Sequence, residues 1–123
     1  MILCVRHLSE DQARSALDRR HAIEQLHQAS VGSGLVQWLC LSPRDDGIVL
    51  VEHRVEDVGT AEFVEVYEFP AADPGEEHGE GRVIATFGDS AEALAVSIEH
   101  GARPDRWVNQ GKVQDEYADT KAW

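Results

Sequence analysis

Cysteine is scarce: Cys4 and Cys40 are the only two among 123 residues, and neither has another cysteine close by in sequence. That removes the usual spacings of zinc and thiol-redox sites, and the framework of a disulfide-stapled secreted fold. Both read as buried free thiols, small apolar side chains rather than reagents. Long apolar runs are missing too, since none approaches the roughly 20 residues that span a bilayer. Met1 to Val5 passes directly into Arg6, His7 and a polar stretch, without the features of a secretory leader. The expectation is a cytoplasmic protein that does not engage a membrane. Phosphate-binding loops, nucleophile elbows, zinc-hydrolase helices and dinucleotide fingerprints are all absent, so no catalytic, cofactor-binding or metal-binding residue is assigned. Positive charge is sparse, with 11 Lys and Arg against 23 Asp and Glu, a net charge of −12. The basic residues are scattered, which argues against a nucleic-acid partner.

What the chain does contain is acid, gathered in one place. Asp45 to Glu80 carries twelve carboxylates against a single Arg54, while Met1 to Cys40 is balanced at four against four and Gly81 to Trp123 holds seven against five. Aromatic and β-branched residues interleave with the acids, and 42% apolar residues suit one globular domain over 1–123 rather than a disordered tail. Two runs, Gly47 to Val58 and Glu62 to Phe69, read as strands joined by a tight Gly59-Thr60 turn of type II′. That register sets Val55 against Val64, His53 against Val66 and Glu52 against Tyr67. One face then collects valines with His53. The other mixes Glu52, Glu56, Phe63, Glu65 and Tyr67 with Leu50, Arg54 and Phe69. It also places Asp57 opposite Glu62, which destabilises a sheet by some tenths of a kcal/mol to about 1.

Elsewhere the elements follow from caps and periodicity. Met1 to Val5 reads as a strand. Ser9 to Gln12 matches a capping box, opening a helix expected to run to about His27. Its stripe drifts from Ala13 and Leu17 to Ala16, Ile23 and Leu26, so it kinks or splits near Arg19 and Arg20. His21 and His27 point to different sides of such a helix and make no chelating pair. Val31 to Gly34 is a helix-ending turn, not a phosphate loop, because it leads into a strand. That strand, Leu35 to Leu41, is apolar on both faces and therefore central. Pro43 to Gly47 is a polar turn and Pro70 to Gly81 a polar loop. Arg82 to Phe87 is a strand with Val83, Ala85 and Phe87 on one face. Asp89 caps a helix whose stripe is Ala91, Leu94, Ala95, Ile98 and Ala102, closed by Gly101 with His100 at its C-terminus. Pro104 opens a short helix to Gly111, Val113 and Tyr117 stabilise another, and Trp107 plugs the core. The fold class is α+β: a single-layer, mainly antiparallel sheet of four to five strands, with an N-terminal helix and two or three C-terminal helices.

Crowding like charge on one hairpin disfavours the compact state, yet it accelerates and orients encounter with a basic partner. In size, acidity and lack of motifs the chain is similar to bacterial immunity proteins that neutralise cationic nuclease-type toxins, a likeness of character that covers no motif. The charge of Asp45 to Glu80, with aromatics on the same side of the hairpin, points to a non-catalytic module docking a basic protein partner through Glu52, Glu56, Phe63, Glu65 and Tyr67; the likeness implies that the partner is a toxin. The competing reading is a small cytosolic enzyme or ligand-binding protein without a recognisable motif, its acidity serving solubility alone.

Overall fold

In the computed structural model, residues 7–27, 34–45, 47–72 and 81–120 are described. Strand Met1 to Val5, most of the Val31 to Gly34 turn and the acidic end of the Pro70 to Gly81 loop lie outside them.

The capping box forms: Ser9 Oγ accepts from Gln12 N and the Gln12 side chain accepts from Ser9 N, opening α1 (Glu10–Asp18). The helix ends where the apolar stripe drifts. Arg19 N reaches back to Ser15 and Ala16 carbonyls, and Arg20 takes a positive φ of 65°, the left-handed turn that stops a helix. The chain does not resume as a helix; residues 23–26 form β1 (Ile23–Leu26), with all four side chains buried. The expected long helix is thus corrected to one short helix followed by a strand.

β2 (Leu35–Arg44) and β3 (Gly47–Glu56) form a ten-residue antiparallel hairpin across the Asp45 turn, with Trp38 opposite His53 and Cys40 opposite Val51. β4 (Arg82–Phe87) lies on the far side of β3 and a two-residue β5 (Val108–Asn109) on the far side of β1. The order is β4-β3-β2-β1-β5, and every described pairing is antiparallel. β2 is central, as its apolarity on both faces requires. The expected helix from Pro104 to Gly111 is corrected: this segment lines the sheet edge, because Val108 pairs with Glu24 and is fully buried there.

Strand alternation sorts the core into two layers. On one face Ile23, Leu39, Leu41, Ile48, Leu50 and Phe87 pack beneath α1, α2 (Ser90–Ser97) and Trp107. Trp107 is 1% exposed, the core plug its size suggests, and its carbonyl accepts from Leu8 N. On the other face Leu26, Val36, Trp38 and Val55 pack beneath α3 (Val113–Asp119) and the segment from Phe63 to Phe69. Val113 and Tyr117 are both buried, so the short C-terminal helix is held by the two residues its spacing singles out.

Two faces depart from expectation. β4 pairs Leu50 with Ala85 but Val51 with Val83, so a bulge at Ile84 shifts the alternation and leaves Val83 55% exposed. Asp89 caps α2 through Glu92 N as expected, and Gly101, with φ 98°, ends the 3-10 turn Ile98–His100 that continues it. Yet the buried face is Ala93, Leu94 and Ser97, while Ala91, Ala95 and Ile98 look outward. The buried Ser97 hydroxyl is satisfied by donating to the Leu94 carbonyl.

Candidate functional site

The hairpin expected at Gly59-Thr60 does not form, for a simple reason: β3 already has β2 on one edge and β4 on the other. Thr60 and Phe63 exchange backbone hydrogen bonds of 3.0 Å in a small local turn. The chain then crosses the sheet face, makes a 3-10 turn at Val66–Glu68, and returns to β3. There Glu56 N donates to the Pro70 carbonyl and Ala72 N to the Arg54 carbonyl. Residues 57–70 therefore form a strap over the Trp38 face of the sheet.

Along the strap, side chains divide by character. Phe63 and Val64 are half-buried, Val66 and Phe69 are fully buried, and Tyr67 is half-buried, while Glu62, Glu65 and Glu68 are exposed. Phe69 meets Phe63 and Tyr117 edge-on at centroid distances of 5.1 and 5.5 Å. Asp57 does not oppose Glu62. Its Oδ1 accepts from Gly59 N at 3.3 Å and from the Tyr117 hydroxyl at 2.5 Å, which ties the strap's start to α3. Gly59 is required there, since a Cβ would lie 1.9 Å from that hydroxyl. Burial, then the Asp57 hydrogen bond, pushes the Tyr117 phenol up, so it remains the donor.

Beneath the strap lies a polar network that the sequence did not reveal. Glu24, on β1 and 2% exposed, accepts through Oε1 from the Tyr67 hydroxyl at 2.8 Å and from Gly111 N at 2.9 Å. Tyr67 in turn accepts from Val113 N at 3.3 Å. One carboxylate thus joins β1, the strap and the entry to α3. Burial raises the Glu24 carboxyl above its ordinary range, and the Gly111 and Tyr67 donors partly oppose this. The Trp38 indole N–H also favours the charged form, but without closing a hydrogen bond of ordinary geometry. Burial and the neighbouring Glu24 charge hold the Tyr67 phenol high as well. Trp38 stacks on His53 at 4.8 Å and meets Tyr67 edge-on at 5.5 Å, and burial lowers the His53 imidazole. Cys40, cross-strand from Glu24, is a buried free thiol pushed up to about 12 by burial first and then by that carboxylate. It is poorly suited to nucleophilic work.

The five residues expected to share one face are therefore distributed over three environments. Glu52 lies on the helix-covered side of β3, with its carboxylate 2.9 Å from Arg82 on β4. Glu56 and Glu65 are exposed, Glu56 at the end of β3 beside the strap's return and Glu65 on the strap itself. Phe63 and Tyr67 turn into the second core layer, so the expected aromatic-and-acid face is corrected to an acidic exterior over an aromatic interior. Tyr67 sits where α3 begins, bonded to its first residue. Among the described residues, no three His, Cys, Asp or Glu side chains are grouped to hold a metal ion, and no helix is long and apolar enough to cross a membrane. No protein-family model matches the chain, and no curated protein or solved structure matches it.

Proposed function

We propose that the chain is a non-catalytic acidic binding module that works in the cytoplasm and docks a basic protein partner, as an immunity-type inhibitor of a cationic toxin does. The observation that carries this reading is the outward row of Glu62, Glu65 and Glu68 on a strap whose inner side is fixed by Phe63, Val66, Tyr67 and Phe69. With Glu56 at the strap's return, the carboxylates stand on backbone held by the Glu24 and Asp57 hydrogen bonds. A preorganised row of like charge loses little conformational freedom when a cationic surface meets it, and it steers that surface over distances near the Debye length, about 8 to 10 Å. Glu52, already engaged by Arg82, contributes less. Phe63 and Tyr67 act by holding the strap in place and not as surface hot spots.

The test compares the immobilised wild-type chain with the triple variant Glu62→Gln, Glu65→Gln, Glu68→Gln. A basic protein retained from bacterial lysate at low salt is purified, and the kinetics of the pair are measured. Neutralising the row should slow association by about 10-fold or more and flatten its salt dependence, with a smaller change in dissociation. Association rates that ignore both salt and the three substitutions would reject the steering role.

A further inference from the structure

Among the described residues, the backbone of the strap is tied to the rest of the molecule at its two ends. Asp57 N donates to the Gly34 carbonyl at 3.0 Å, and the Glu56 and Ala72 amides close the return at 2.8 and 3.1 Å. Between those ends its backbone–backbone hydrogen bonds are its own: Thr60 with Phe63, Val66 to Val64, Glu68 to Glu65 and Phe69 to Val66. The middle is held down by side chains, so it can lift while the five-stranded sheet beneath stays paired. Under that middle lies Glu24, 2% exposed, and the strap's Tyr67 hydroxyl is one of its two hydrogen-bond donors. Tyr67 and Gly111 N both donate to Oε1, so a protonated carboxyl satisfies them with its carbonyl oxygen. An ionised one adds a charge that only the ill-placed Trp38 indole N–H is left to meet.

We infer that the strap is a pH-dependent latch, shut while Glu24 holds a proton and lifting more often once Glu24 is ionised. The cause is solvation. With the strap down the charge is buried, whereas lifting Tyr67 lets water reach it, so ionisation favours the open form. The closed carboxyl is raised above the ordinary 4.5 and the open one is not. The opening constant is therefore flat below 4.5, climbs by about tenfold per pH unit, and levels off above the closed-form value. The groups packed around Glu24 do not titrate with it. β2 presents the Cys40 thiol, pushed up to about 12, and the strap presents the Tyr67 phenol, also held high, so both stay protonated. β5 presents Val108, and α3 presents Val113, whose N–H goes to Tyr67. Lys112 at the head of α3 is exposed, Glu116 is bonded to His7 and Tyr117 to Asp57. His53 on β3, stacked on Trp38, works in the opposite sense, because burial lowers its imidazole and a proton there favours opening as pH falls. On the function proposed above, on which this consequence rests, lifting scatters the Glu62, Glu65 and Glu68 row and weakens docking as pH rises.

The test is amide hydrogen exchange by NMR on the chain alone from pH 4 to pH 8, read at Val66 and Phe69 of the strap and along the β2–β3 ladder. It uses no partner, so its outcome is separate from that of the docking experiment. The strap amides should exchange through an opening about 10-fold or more as frequent as the ladder's. Their opening constant in wild type, divided by that in Glu24→Gln, should rise by about tenfold per pH unit above 4.5 and then level, the His53 contribution cancelling in the ratio. In His53→Gln the rise should appear directly, which keeps the test decisive if Glu24→Gln fails to fold. Strap amides that exchange only together with the ladder, or an opening constant that ignores pH in His53→Gln, would overturn the latch.

Discussion

The reading of Tyr67 as a structural strut can be tested by removing one atom. Tyr67→Phe keeps the ring and its edge contact with Trp38 but deletes the hydroxyl that donates to Glu24 and accepts from Val113 N. A hydrogen bond to a neutral acceptor contributes about 1 kcal/mol and one to a charged carboxylate about 1.5 to 3. The long bond from Val113 N adds less, but its loss leaves an amide at the head of α3 without that partner. Together the substitution should cost about 2 to 4 kcal/mol, a large share of the stability of so small a domain. In urea titration, where slopes are typically about 1 to 3 kcal/mol per M, the midpoint should fall by about 1 M or more. A double-mutant cycle with Glu24→Gln should give a coupling well above about 0.5 kcal/mol, since the two side chains touch. If Tyr67 were instead a surface hot spot on the same face as Glu52, Tyr67→Phe would leave the midpoint nearly unchanged and speed dissociation of the partner. A loss below about 0.5 kcal/mol would refute the network as a stabilising element.

Phe69→Ala tests the strap's geometry, since Phe69 is fully buried against Phe63 and Tyr117. It should cost about 3 to 5 kcal/mol by chemical denaturation, whereas an outward Phe69 on a hairpin strand would cost almost nothing. Glu24 gives stability a defined pH dependence. Its folded carboxyl is raised above the ordinary 4.5, so its contribution is fully present below that value and is lost as pH rises through the raised folded value. Unfolding free energies measured from pH 4 to pH 8 should therefore shift steadily in favour of Glu24→Gln, relative to wild type, as pH increases. A flat difference across that range, or one of opposite slope, would contradict the assignment.

The elements that were legible carry local signals of their own. The Ser9 box, the Asp89 cap, the apolar β2 run, Arg82 to Phe87 and the Val113–Tyr117 spacing each specify an element without help from distant contacts. β1 was hidden because its four residues are all buried and so show no alternation. Glu24 and Gln25 are tolerated there only because remote groups satisfy them: Gln25 donates to the Arg103 carbonyl and accepts from Arg103 N, bridging to a loop 78 residues away. No local pattern encodes such partners, so a drifting helical stripe was the natural reading of Ile23 to Leu26. Two-residue β5 is below the length at which periodicity exists at all. The phase of α2 was ambiguous for the opposite reason, since a helix apolar on two sides offers two stripes, and the better-spaced of them faces outward.

The strap did leave a trace in the sequence. Glu62, Glu65 and Glu68 recur every third residue, as do Phe63, Val66 and Phe69, and Val64 with Tyr67 completes the third column. A strand repeats every two residues, and forcing period two onto this run produced the mixed face and the Asp57–Glu62 clash. Three residues per turn is the repeat of a 3-10 or polyproline-like path, whose columns stay aligned along the segment. The strap takes that form in the 3-10 turn Val66–Glu68, and along it Glu62, Glu65 and Glu68 are exposed while Val66 and Phe69 are buried over Trp38 and Leu26. The like charges are then neighbours on a solvated exterior instead of cross-strand partners, where the high dielectric of water reduces their repulsion. What destabilisation persists is borne by the inner column and by the Glu24 and Asp57 hydrogen bonds. Those contacts fix where the carboxylates stand, so under the proposed function affinity for a cationic partner would depend on side chains that the partner never touches.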